Sequence, residues 1–234
     1  MMVNIDLQFF GGRGASSGLP TATPDGSSKG SSGKWSTTPN VQSPQTLRDA
    51  LGTKGRPMSM VEAVKGANPY YDGTYKEFSE NCQRAVVAYE ARRRGYKVTA
   101  QPTFEGDTLP QSNIAGKGQG RWQGAFQGAK SESVGSKNPK TVQSNIEKKM
   151  SEYGDGARGI VQITWKNGEG HVFNVEQKNG KTHYVDAQIG AKYNPAQLFT
   201  QVKPQSTRLV RTDNLKFSDR MKKSVEQQGS RVNG

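Results

Sequence analysis

One cysteine, Cys82, and two histidines, His171 and His183, are all that 234 residues contain of those two types. A single cysteine cannot close an internal disulfide, which excludes a disulfide-stapled secreted scaffold and points to a reducing compartment. No apolar run reaches the roughly 18 residues that a spanning helix needs, so no membrane partner is expected. The opening "MMVNIDLQFF" lacks the basic start and long apolar stretch of a signal peptide, and Asp6 interrupts it, so secretory export is not expected. Apolar residues make up only 31% of the chain, against roughly 45–50% (glycine included) in an average globular protein. The core must therefore be concentrated in part of the sequence. Acidic residues are also in deficit: 33 Lys and Arg against 20 Asp and Glu give a net charge of +13. The excess is spread along the chain, which suits diffuse phosphate attraction, including nonspecific DNA contact, better than sequence readout.

Residues 11–46 are rich in Gly, Ser, Thr and Pro and show neither helical nor strand periodicity. Such a segment buries too little apolar area to offset the entropy of ordering it. Three regions result: a flexible arm over 1–56 with a short apolar patch at its start, an α+β domain over 57–217, and a basic flexible tail over 218–234. Inside the domain, "PMSMVEAVKGANP" reads as a short helix ending near Gly66. "SENCQRAVVAYEARRRGY" reads as a helix capped by Ser79 and ended by Gly95. Cys82, Ala85, Val86 and Tyr89 share one face of it, with Cys82 at its third position. The run "ARRRG" reads as a solvated helix end, with a phosphate site as the alternative. Residues 105–140 suggest an insertion or long loop. A strand is expected at "YKVTAQP", a helix at "KTVQSNIEKKMSEYGDG" and a strand at "RGIVQITWK". The remainder to Phe217 offers a short helix and one strand.

"GHVFNVEQKNGKTHYVDAQIG" is the strongest hairpin signal, two alternating runs about Asn179-Gly180, the pair favoured in a type I′ turn. With those two residues at the turn centre, His171 faces Gln188, Phe173 faces Asp186 and Val175 faces Tyr184, all on one side of the sheet. Asp186 is then the diagonal neighbour of His171, roughly 7–8 Å away at the backbone. His183 faces Glu176 and points to the other side. A carboxylate that fixes one ring nitrogen leaves the other free to act. A thiol in the first turn of a helix is favoured as thiolate, the more so beside an imidazolium. Cys82, His171 and Asp186 thus form a candidate nucleophile, base and orienter. The Cys82 N–H and the Asn81 side chain are candidate oxyanion donors.

"NCQRAVVAYEARRRGY", "GHVFNV" and "YVDAQIG" together resemble the papain-like-fold toxin domains, which include glutamine deamidases and peptidase-like members. The resemblance covers about 65–200. It implies a papain-like α+β fold, helices packed on a small antiparallel sheet, with Cys82 as nucleophile, His171 as general base and acid, Asp186 as orienter and Gln188 in the D-x-Q element. It also implies a protein substrate and neither cofactor nor metal. The chain departs from its relatives in having Ala85 where many have a second Cys. It also lacks a Gln just before Cys82 of the kind that serves the oxyanion hole in papain-type proteases. The first segment, "MMVNIDLQFFGGRGASSG", resembles the starts of tailed-phage head and minor structural proteins. That likeness implies a place in the virion or host cytoplasm and phage head or portal partners.

Two other readings stay open on the residues alone. One is a noncatalytic phage structural or ejected protein. The other is a ribonuclease toxin using His171 and His183, which the hairpin parity disfavours.

Overall fold

The computed structural model describes residues 19–22, 44–71, 75–104 and 121–230. The apolar patch at the start, most of the arm and residues 105–120 of the expected insertion lie outside them.

Capping signals set the early helices. Thr46 caps α1 (Leu47–Leu51) and Ser59 caps α2 (Met60–Ala67), each in a reciprocal capping box with Asp49 or Glu62. A single turn, α3 (Lys76–Ser79), precedes α4 (Cys82–Arg93). Gly95, at φ 102°, follows the end of α4 as expected. α5 (Pro139–Tyr153) starts with Pro after an Asn138 cap and buries Val142, Ile146 and Met150, and α6 (Pro195–Leu198) is one turn.

The main sheet has the order β1 (Thr21–Ala22), β7 (Ala191–Tyr193), β6 (Lys181–Asp186), β5 (Gly170–Lys178), β4 (Arg158–Thr164), β8 (Arg208–Arg211) and β3 (Glu132–Ser133). Only β1 runs parallel to its neighbour. A second sheet pairs β2 (Val98–Ala100) with β9 (Val225–Gln227).

The β5–β6 hairpin turns at Asn179 (φ 53°) and Gly180 (φ 69°), in the register expected from Lys178↔Lys181 to Asn174↔Val185. There the ladder ends, so Phe173–Asp186 and His171–Gln188 are not ladder pairs. The Asp186 carboxylate accepts the Gln188 N–H and bends the chain away from β5, and β6 pairs instead with β7 through Asp186↔Ala191.

Each face of the sheet carries its own core. Ile160, Val172 and Val210 join α1, α2 and α4 on one side, whereas Val161, Phe173, Val175 and Tyr184 join α5 and α6 on the other. α4 is enclosed on every side rather than on one face, with all residues from Cys82 to Arg92 buried. The "ARRRG" arginines are correspondingly not a solvated end. Arg92 donates to the Val98 and Glu62 carbonyls, Arg93 binds Glu176, and Arg94 binds Glu90 and the carbonyls of Thr212 and Leu215. Gly66 leaves the room that Arg92 occupies, since a Cβ there would overlap its guanidinium.

Three expected boundaries change. α1 lies within the expected arm and buries Ala50 and Leu51, and β1 docks a further piece of that arm on the sheet edge. The expected tail is ordered through residue 230: Ser218 caps a 3-10 turn over Asp219–Lys223 that buries Met221, and β9 follows. Met221 and Val225 are the apolar anchors that its polar composition conceals. Within the expected insertion, Trp122–Ala125 forms a buried 3-10 turn and Glu132–Ser133 the edge strand β3.

Candidate active site

α3 ends at Ser79, so Ser79 does not cap α4. Asn81 holds the cap position, and Cys82 is the first helical residue rather than the third. That position leaves the Cys82 N–H without an intrahelical acceptor. His171 is the second residue of β5 and Asp186 the last of β6. His171 Nε2 lies 2.8 Å from Asp186 Oδ2, and the Cys82 sulfur acts electrostatically on the same ring. With Nε2 on the carboxylate, Nδ1 is the nitrogen left for the sulfur.

The meeting point is unusual in its topology. Cys82 belongs to the core on the α4 side, whereas His171 stacks on Trp165 (5.7 Å between centroids, 22°), which belongs to the opposite core. Helix start and strand ends meet where the sheet finishes, so the two faces join around one cluster. The cluster is closed: Cys82 is 0% and His171 4% exposed. A substrate therefore reaches the sulfur only when the groups covering it move.

Burial disfavours charge on the ring, but the Asp186 carboxylate and then the Cys82 sulfur outweigh it, and the imidazole is raised to about 10. Asp186, despite its own burial, is held below the usual carboxylate range by His171, by the Tyr193 hydroxyl and by the Gln188 N–H. Burial and then the Asp186 charge push the Tyr193 phenol well above its ordinary value, which keeps it a proton donor.

Gln188 acts as a strut. Its N–H donates to Asp186 Oδ1 (2.9 Å) and its Nε2 to the Ser79 carbonyl (2.6 Å), tying the end of β6 to the start of the Cys82 helix. Asn81 is committed differently from the expected oxyanion donor: its Nδ2 donates to Asn68 Oδ1 (2.9 Å) and to the Gln101 carbonyl (3.3 Å). Its buried Oδ1 has no hydrogen-bond partner among the described residues. The amide can therefore offer an acceptor, not a donor. His183 faces Glu176 across the hairpin, on the opposite side of the sheet from His171, so the two rings do not form a two-histidine site.

Three neighbours escape the sequence reading: Asn68, Trp165 and Tyr193. Asn68 Nδ2 bridges the Phe78 and Gln188 carbonyls, both at 2.8 Å. Only its place at the C-cap of α2 hinted at special duty. Tyr193, two positions beyond the Ala191 that pairs with Asp186, was signalled only by the alternation of "AKY".

Residues 80–191 match the family model described as papain fold toxin 1, glutamine deamidase. The papain-like α+β fold that the resemblance implied is the one this domain has. The matched stretch holds Cys82, His171, Asp186 and Gln188, and leaves Asn68 and Tyr193 outside it. No curated protein and no solved structure matches the chain. Among the described residues no three His, Cys, Asp or Glu cluster as metal ligands, and no helix is long and apolar enough to cross a membrane.

Proposed function

We propose that this protein is a cysteine hydrolase that deamidates glutamine side chains of a protein substrate, with Cys82, His171 and Asp186 as its triad. The observation that carries the proposal is the convergence of sulfur, imidazole and carboxylate at the head of α4, within a stretch matching a deamidase family. The Cys82 thiolate attacks the carboxamide carbon, and the Cys82 N–H stabilises the oxyanion. His171 gives its Nδ1 proton to the departing nitrogen, releasing ammonia and leaving a thioester. Water then attacks the thioester while His171 takes its proton, freeing a glutamate side chain and the thiol. Asp186 holds the ring on its Nε2 throughout.

Incubation of the full chain with benzyloxycarbonyl-glutaminyl-glycine and with casein tests this directly. Ammonia release that disappears in Cys82→Ala is the expected result. New peptide N-termini in place of ammonia would reassign the triad to peptide or isopeptide cleavage, and equal release by Cys82→Ala would refute a thiol enzyme.

A noncatalytic reading has one observation of its own: Cys82 is fully enclosed within an apolar cluster. On that reading the chain is a phage structural or ejected protein in the virion or host cytoplasm, contacting head or portal proteins or DNA. Cys82→Ala would then leave particle assembly and host killing unchanged.

A further inference from the structure

Asp186 is pinned at both oxygens. Oδ1 accepts the Gln188 N–H at 2.9 Å, while Oδ2 receives both His171 Nε2 at 2.8 Å and the Tyr193 hydroxyl at 2.5 Å. The hydroxyl stands 3.5 Å from the same ring nitrogen. Tyr193 is itself held firmly: its ring meets Phe173 edge-on at 5.5 Å and 75°. Its strand, β7, is gripped on both sides, by Asp186↔Ala191 towards β6 and by Ala22↔Tyr193 towards β1. The Lys192 N–H adds a bond to the Pro20 carbonyl at 2.8 Å.

We propose that Tyr193 is a positioning residue of this site, whose hydroxyl clamps the one carboxylate oxygen that holds the His171 ring. The proposal rests on the cysteine-hydrolase reading for its purpose, but not for its geometry. Two consequences follow from two donors on one oxygen. The carboxylate cannot rotate away from the ring without breaking the phenol bond, so Nδ1 stays aimed at Cys82. The phenol also draws negative charge from Oδ2, which leaves the imidazolium a better proton donor to the departing amine. The titratable groups facing the ring and the phenol are Asp186 from β6, Cys82 from α4 and Tyr71 from the stretch after α2, with the uncharged Trp165 stacked on the ring.

The test is Tyr193→Phe in the full chain, which keeps the ring on Phe173 and removes only the oxygen. The readout is the His171 titration followed by NMR, alongside the thermal midpoint. The His171 midpoint is expected to rise by about half a unit or more, roughly threefold in proton affinity. Should the phenylalanine variant fail to fold, replacing Tyr193 by 3-fluorotyrosine keeps the packing, strengthens the donor and moves the midpoint the opposite way. Coincident midpoints in parent and variant overturn the proposal, whatever happens to the melting temperature, because a merely packed ring changes stability without touching the titration. A shifted midpoint in a protein that releases no ammonia supports the clamp and counts instead against the deamidase reading.

Discussion

Asn68 spends its side chain on three neighbours: it donates to the carbonyls of Phe78 and Gln188 and accepts from Asn81 Nδ2. These bonds join the end of α2, the turn of α3, the residue before Cys82 and the residue after the Asp186 bend. Removing a partner from buried polar groups costs about 1–3 kcal/mol per group left unsatisfied. Asn68→Ala is therefore expected to lower stability by about 2–4 kcal/mol in a denaturant titration, since helix and hairpin lose their common tie. At His171 the effect is one of pH. Its folded value, raised to about 10, lies above the ordinary 6.5. The charged ring thus contributes stability that is fully present below 6.5 and is lost as pH rises through about 10. The denaturation midpoint should fall over that interval, and His171→Gln should flatten this part of the profile.

Among the elements, α4 departs most from its sequence pattern. The periodicity of Cys82, Ala85, Val86 and Tyr89 predicts one buried face, yet Glu90 and Arg92 are buried too, and Arg93 and Arg94 are half-buried. Pairing resolves this: Glu90 takes Arg94 and Arg158, while Glu176 takes Arg93 and the Tyr89 hydroxyl. Burial pushes Glu176 up, but Arg93 and Tyr89 prevail and hold it below its ordinary 4.5. A depressed carboxylate contributes stability that is present above 4.5 and lost as pH falls through its folded value. Glu176→Gln should cost about 3 kcal/mol at neutral pH, as breaking a buried pair does, and should remove part of the acid slope in urea titrations. Apart from Glu90 and Arg94, one helical turn apart, these partners lie 68 to 87 residues apart, which is why no local pattern reveals them. The hairpin was legible for the opposite reason, because Asn179-Gly180 and strict alternation fix its register locally. Alternation also placed His171 beside Asp186, and the two side chains meet at 2.8 Å although the ladder ends before them. It could not show that Cys82 approaches from the other face, since that depends on where the sheet ends. The start of α4 was misplaced because the separate turn of α3 fits the same polar residues that suggested a cap at Ser79.

At the scale of the whole molecule, the stretch matched by the deamidase family is not self-sufficient. Asn68 comes from before residue 80, Tyr193 from after residue 191, and β1 and β9 bring distant parts of the chain to the edges of the two sheets. Among the described residues, the buried Glu90, Glu176 and Asp186 are each neutralised by a basic side chain. The central claim concerns one sulfur at the junction of these parts. Alkylation of Cys82 with iodoacetamide across pH, in the parent and in His171→Ala, tests it most directly. The account predicts labelling near neutral pH that His171→Ala abolishes. The same thiol-like profile in both proteins would contradict it.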